Sequence, residues 1–349
     1  MAEKPAYPFC LADASTEMTS IVFLLGAGFG VDAASEAGNP IAASHPARYP
    51  LVSDLGKMCF GLDTLPADKS IEELFQESIA TGDLDPIETL YDLLMEADYY
   101  ITPVLRPDSD HSDNTYLRFL RDFPSAPLLT FNYDSLPELL LLSVRSWRPD
   151  DGYGVAVQLG GTPIQDTSLV PERSVRPVLH LHGTLCVYPV ISYIQPGPRL
   201  GPDMLRLKDA PDFVFDPDAL AFVPFEGVPA GHGYKHIPDR VIAPVPDKAE
   251  GLKSKFIKAV YSQAKAMVTR ATQIVVIGYS FNPHDHTSYA PLLAAATGRR
   301  VFLVTPEAHC LLERLAEDYP RIHWEGASLS FRDWVRNGYP GVTTRENVI

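Results

Sequence analysis

Four short apolar runs, each broken off abruptly by glycine or polar residues, constrain this chain more than any other feature. They are Ser20–Leu25 before Gly-Ala-Gly, Pro127–Phe131 before Asn-Tyr-Asp, Val178–Leu181 before His-Gly, and Ile274–Ile277 before Gly-Tyr-Ser. A fifth run, Val301–Val304, ends in Thr305-Pro306. Short β-branched and aliphatic runs bounded by turn formers are the pattern of buried parallel strands. Between them the apolar spacing turns helical, over Ile71–Ala80, Ile87–Tyr100, Leu136–Trp147, Leu252–Arg270 and Glu307–Tyr319. Strands alternating with helices predict an α/β fold: a doubly wound, Rossmann-like parallel sheet with helices on both faces. Ligands of such sheets bind outside the carboxyl ends of the strands, and all four polar motifs fall there.

The chain has 349 residues, enough for two domains. Motifs from Gly26 to Asp285 that meet at one sheet edge argue instead for a single domain over 1–349. The 32 prolines call for long, stiff loops. They concentrate partly in residues 189–248, which read as an irregular Pro-rich insertion placed to cover a ligand. Residues 36–50 and 101–114 also read as loops, and 150–176 carries further prolines. A formal charge of −15 disfavours direct nucleic-acid binding and a membrane-surface role. Cys10, Cys59, Cys186 and Cys310 form no C-x-x-C pair, so neither a zinc ribbon nor a disulfide framework is expected. Without a signal sequence or a span-length apolar window, the expected location is the cytoplasm.

The motifs carry chemistry as follows. Gly26-Ala27-Gly28 leads from a strand into an Ala-rich helix start, where glycines let the backbone approach a diphosphate. The spacing is G-x-G-x-G, and no acidic residue ends a second strand about twenty positions on, so an ordinary dehydrogenase is disfavoured. A tight turn without ligand accounts for the motif equally well. Asn132 and Asp134 can orient a sugar hydroxyl or a water, or can cap the helix that starts near Leu136. For Asp134, on the helix side, capping is the stronger reading, though it stays among the nucleotide-binding candidates. Strand alternation puts His180 and His182 on one face, with His182 at the mouth as a candidate general base and His180 deeper and structural. Gly278 permits close approach, and Ser280 can bond a phosphate or ribose. Asp285, between His284 and His286, reads as a helix N-cap rather than part of a metal site. Asp108–Asp113 lacks the glycine and glutamate of a calcium loop, and His232–His236 lacks the glutamate and helix of a zinc protease.

Taken in order, Gly-Ala-Gly, Asn-Tyr-Asp, Leu-His-Gly and Gly-Tyr-Ser with a following Asp resemble the sirtuin-like NAD-consuming domains of bacterial antiphage defence systems. Tyr49-Pro50-Leu51, Asp54-Leu55 and Ile242–Pro246 add to the likeness, which covers about Ser20 to Asp285. The resemblance implies that Gly26, Ala27 and Gly28 hold the diphosphate of NAD+, and that Asn132 and His182 are catalytic. It places Gly278, Tyr279 and Ser280 on the adenosine side. Gly30 stands where the family usually carries Ser, which removes one hydroxyl ligand. Sirtuin deacetylases carry a four-cysteine zinc module after His-Gly, where this chain has only Cys186, so no zinc is expected and deacylation is the lesser alternative. The implied activity is an NAD+ glycohydrolase that consumes NAD+ as substrate, the effector of an abortive-infection system. A non-catalytic NAD or ADP-ribose-binding regulatory subunit is the alternative of another class. The likeness also implies a homo-oligomer and a DNA-translocating ATPase or Argonaute-like partner.

Overall fold

In a computed structural model the described residues are 21–33, 49–50, 52–66, 68–101, 114–155, 157–159, 173–184, 186–189, 213–215, 245, 248 and 251–342. The first strand, β1 (Ile21–Leu25), is buried along its whole length, as an all-apolar run in a two-faced sheet must be. It pairs in parallel with β2 (Leu128–Thr130) on one side, Phe23 opposite Leu128. The other side pairs with a later strand, Gln273–Ile277, with Phe23 opposite Val275.

Chain order runs on through α1 (Val52–Phe60), α2 (Ile71–Thr81), α3 (Asp85–Ile101) and α4 (Thr115–Asp122). After β2 come α5 (Leu136–Ser143), α6 (Pro149–Gly152), β3 (Gln158–Leu159), β4 (Val178–His180), β5 (Val187–Pro189) and β6 (Phe213–Phe215). The C-terminal part holds α7 (Lys255–Arg270), β7 (Gln273–Ile277), α8 (His286–Ala295), β8 (Arg300–Val304), α9 (Ala308–Asp318), β9 (His323–Ala327) and α10 (Phe331–Arg336). Six strands form one sheet in the order β4-β2-β1-β7-β8-β9, every neighbouring pair parallel. Numbered along the chain within that sheet, the order is 3-2-1-4-5-6, the Rossmann arrangement. β3, β6 and β5 make a second, three-stranded sheet.

Helices cover both faces of the large sheet. Phe23 points to α4, its ring 4.7 Å from Phe119 and 5.0 Å from Phe123, and Phe29 extends this aromatic layer to Phe331 of α10 at 4.8 Å. Leu24, Leu129, Ile274 and Val276 face the other way, where Val268 of α7 and Leu292 and Leu293 of α8 close over them. Local signals fix the helix ends. Ser70 and Glu73 form a capping box at the start of α2, and Gly82 ends it in the left-handed region.

Several expectations shift. The Ala-rich helix after Gly28 starts as a 3-10 turn, Ala27–Phe29, and residues 34–48 lie outside those described. The helix expected to reach Trp147 ends at Ser143, because Arg145 takes a positive φ of 53°. Leu252–Arg270 divides at Ser254 into a 3-10 turn and α7. Of the Pro-rich stretch 189–248, only residues 189, 213–215, 245 and 248 are described, so its covering role lies outside the described residues, as do residues 102–113 and 160–172.

Candidate active site

The strand order reverses between β1 and β7, and the loops leaving these two strands meet there. Gly26 N–H donates to the Ile277 carbonyl at 2.9 Å, and Gly28 N–H to the Gly278 carbonyl at 2.9 Å. A Cβ on Gly26 would stand 2.5 Å from the Tyr279 Cα, and one on Gly278 would stand 2.5 Å from the Gly28 backbone. Gly278 also has φ of +62°, which favours glycine. These glycines are therefore required by the contact of the two loops. Ala27, between them, is exposed at the crevice. Gly30 has its own reason: a Cβ there would lie 2.7 Å from the buried ring of Tyr49.

Asn132 follows β2. Its Nδ2 donates to the Gly26 carbonyl at 3.1 Å, and its own N–H donates to Thr130 Oγ1 at 3.0 Å. The first bond ties the β2 end to the glycine loop and leaves the carboxamide Oδ1 to accept. Asp134 is buried, and its Oδ1 accepts from Leu136 N–H at 3.2 Å in a turn that leads into α5, whose N-cap position is Ser135. Burial pushes its carboxyl up to about 6.

His182 lies just past β4, which ends at His180; the chain turns between them, so strand alternation does not extend to His182. Its ring, 3% exposed, packs against Phe131 at 4.9 Å and Tyr133 at 6.0 Å. Nε2 has no hydrogen-bond partner among the described residues. Burial pushes the imidazole down to about 4; Asp285 and a backbone hydrogen bond at Phe131 oppose this, and Lys248 reinforces it. The ring is therefore neutral near pH 7, with Nε2 unpartnered among the described residues. His180 is structural, as expected, bonded through its ring to Glu138 and Asn132.

The Gly-Tyr-Ser loop packs through its tyrosine and exposes its serine. The Tyr279 ring is buried and stacks on Phe131 at 4.5 Å, and its hydroxyl donates to Asp285 Oδ2 at 3.1 Å. Ser280 is exposed, and its carbonyl accepts from Arg314 at 3.1 Å. Asp285 does not cap α8 with its side chain. Its Oδ1 instead holds the buried Lys248 at 2.6 Å, and Lys248 also donates to the Val245 carbonyl at 2.9 Å. His284 and His286 do not join it: Asn282 takes the His284 N–H, and the His286 ring meets the Tyr319 hydroxyl.

Gly26, Ala27, Gly28, Asn132, His182, Gly278 and Ser280 thus gather at the carboxyl ends of β1, β2, β4 and β7, with the Tyr279 ring and Asp134 buried behind them. Two residues of the site carry no sequence signal. Lys248 sits in a proline-flanked stretch, and Glu138 lies on an otherwise apolar helix turn; only the fold brings each to its partner. The segments holding Asp108–Asp113 and His232–His236 lie outside the described residues. Among the described residues no group of three or more His, Cys, Asp or Glu is arranged to hold a metal ion, and no helix is long and apolar enough to cross a membrane. Neither a protein-family model nor a curated protein matches the chain.

Proposed function

We propose that this chain is an NAD+ glycohydrolase, cleaving the nicotinamide–ribose bond with water to give nicotinamide, ADP-ribose and a proton. The observation that carries the reading is a pair of acceptors at neighbouring strand ends. Asn132 commits its Nδ2 to Gly26 and keeps Oδ1 open, and His182 is held neutral by burial with Nε2 unpartnered among the described residues. Two such acceptors suit hydroxyl and water donors. Rupture of an N-glycosyl bond passes through an oxocarbenium-like state, so the ribose and the attacking water must be fixed while the cation develops. Asn132 would orient the ribose hydroxyls or the water. His182 would take the proton of that water, or of a ribose hydroxyl, as the new C–O bond forms. Gly26–Gly28 lies at the topological switch point, where such folds hold a diphosphate.

One observation favours a second reading. The Gly26, Gly28 and Gly278 contacts account for the glycines by loop packing alone. A nucleotide-binding subunit without turnover would need no more than that. The defence role, the homo-oligomer, the cytoplasmic location and an ATPase or Argonaute-like partner are proposals carried by the family resemblance. The experiment is incubation of the purified chain, alone and co-purified with its genomic neighbours, with NAD+. The reading expects equimolar nicotinamide and ADP-ribose; tight NAD+ binding with no turnover in any assembly would favour the binding subunit.

A further inference from the structure

Behind the mouth lies a polar cluster that the proposed reaction does not touch. His180, the last residue of β4, and Glu138, in the first turn of α5, are both completely buried. His180 Nε2 stands 2.7 Å from Glu138 Oε1, and Nδ1 stands 3.2 Å from the carbonyl oxygen of Asn132. A carbonyl oxygen only accepts, so Nδ1 carries a proton. The acid–base pair on the other nitrogen then has two forms that keep both bonds: imidazolium with carboxylate, or imidazole with carboxylic acid. Imidazole is the stronger base of the two by about two pKa units. The Nδ1–H bond to Asn132 also favours the charged ring, because a charged donor bonds more strongly than a neutral one.

We infer that His180 is held as an imidazolium between Glu138 and the Asn132 carbonyl, and that this buried pair positions Asn132. The inference rests on Asn132 being a site residue, as proposed above. Burial works against the charged ring, yet the Glu138 carboxylate, its hydrogen bond and the nearby Asp134 together raise His180 above the ordinary histidine range. The other groups facing the pair come from three directions. Asp134 precedes α5 and accepts from Leu136. Tyr153 follows α6, with its ring 6.1 Å from His180. Cys186 meets Ser135 Oγ at 3.3 Å. With its carbonyl gripped by His180 and its side chain bonded to Gly26, Asn132 is fixed at both ends of the residue.

The test uses the full chain with histidine and asparagine side chains labelled for NMR. His180 is expected to show protons on both ring nitrogens at pH 7, whereas His182 shows one. A neutral His180 with a bare nitrogen would overturn the inference in the wild-type protein, with no variant needed. His180→Phe keeps ring volume and removes both bonds. It is expected to shift the Asn132 carboxamide signals, remove their exchange protection and lower kcat for nicotinamide release about tenfold with KM within about twofold. Unchanged Asn132 signals would contradict the positioning role. If His180→Phe does not fold, Glu138→Gln replaces it. The new amide can donate to Nε2, so Asn132 is expected to stay protected while His180 becomes neutral. A wild-type chain that releases no nicotinamide would sink the hydrolase reading alone, since the ring-nitrogen and carboxamide signals judge the pair independently.

Discussion

The N–H of Gly28 donates to the carbonyl of Gly278 at 2.9 Å, joining the loops that leave β1 and β7 at the point where the strand order reverses. A methyl group on Gly28 would come within 2.8 Å of the Gly278 Cα, so the loops meet backbone against backbone. Gly28→Ala and Gly278→Ala are each expected to cost about 2–4 kcal/mol, from overpacking and, at Gly278, a positive φ. Gly298→Ala is the control. It shares a positive φ of 75° but meets nothing within 4 Å, so its expected cost is about 1 kcal/mol. Denaturant midpoints for the three variants measure the difference.

Asn132 joins β2 to the same loop, and its alanine and aspartate variants separate loss of that bond from a charge set in its place. Asn132→Ala loses the bond to Gly26 and is expected to cost about 1 kcal/mol of stability. Asn132→Asp sets a carboxylate oxygen against the Gly26 carbonyl, acceptor facing acceptor, and is expected to cost more than alanine does. Thermal unfolding above pH 7 compares them.

Buried and neutral, His182 makes a pH prediction with a definite sign. Its folded pKa is about 4, below an unfolded value near 6.5. Between those values the unfolded chain binds a proton that the folded chain does not, so this contribution to stability rises with pH and is complete above about 6.5. Asp134, raised to about 6, acts the opposite way over roughly pH 4–6. The difference between wild type and His182→Gln isolates the histidine. That difference is expected to grow by about 3 kcal/mol from pH 4 to 6.5. The acid limb of kcat/KM for nicotinamide release is expected near pH 4 rather than 6.5.

The Lys248–Asp285 ion pair is buried on the lysine side, with side-chain exposures of 2% and 17%. Lys248→Met leaves the Asp285 carboxylate without its cation and is expected to cost about 3–5 kcal/mol. It also removes a positive charge that depresses His182 while leaving the negative charge that raises it. The His182 titration is therefore expected to move upward, followed by NMR. The double variant Lys248→Met/Asp285→Leu should recover much of the stability, since no lone charge is left.

The five apolar runs were legible as strands because each is buried on both faces and needs no partner to announce it. β9, His323-Trp324-Glu325-Gly326-Ala327, has no apolar run, since it is an edge strand with three exposed residues. Asn132, His182 and the glycines could be placed at strand ends, because turn residues mark those ends locally. What those residues touch could not. Gly28 meets Gly278 across 250 positions, and His180 meets Glu138 across 42. Asp285 stands where a helix cap is expected, but Tyr279 and Lys248 offer it stronger partners than the backbone does.

If Asn132 and His182 act together on NAD+ as proposed, removing either side chain stops nicotinamide release. Wild type, Asn132→Ala and His182→Ala, each shown folded, are incubated with NAD+ at pH 7 in the same assembly state, and nicotinamide is followed over time. Stoichiometric release by wild type is expected, with a fall of about 100-fold or more in each variant. Release by His182→Ala at the wild-type rate, or none by wild type in any assembly, would contradict the proposal.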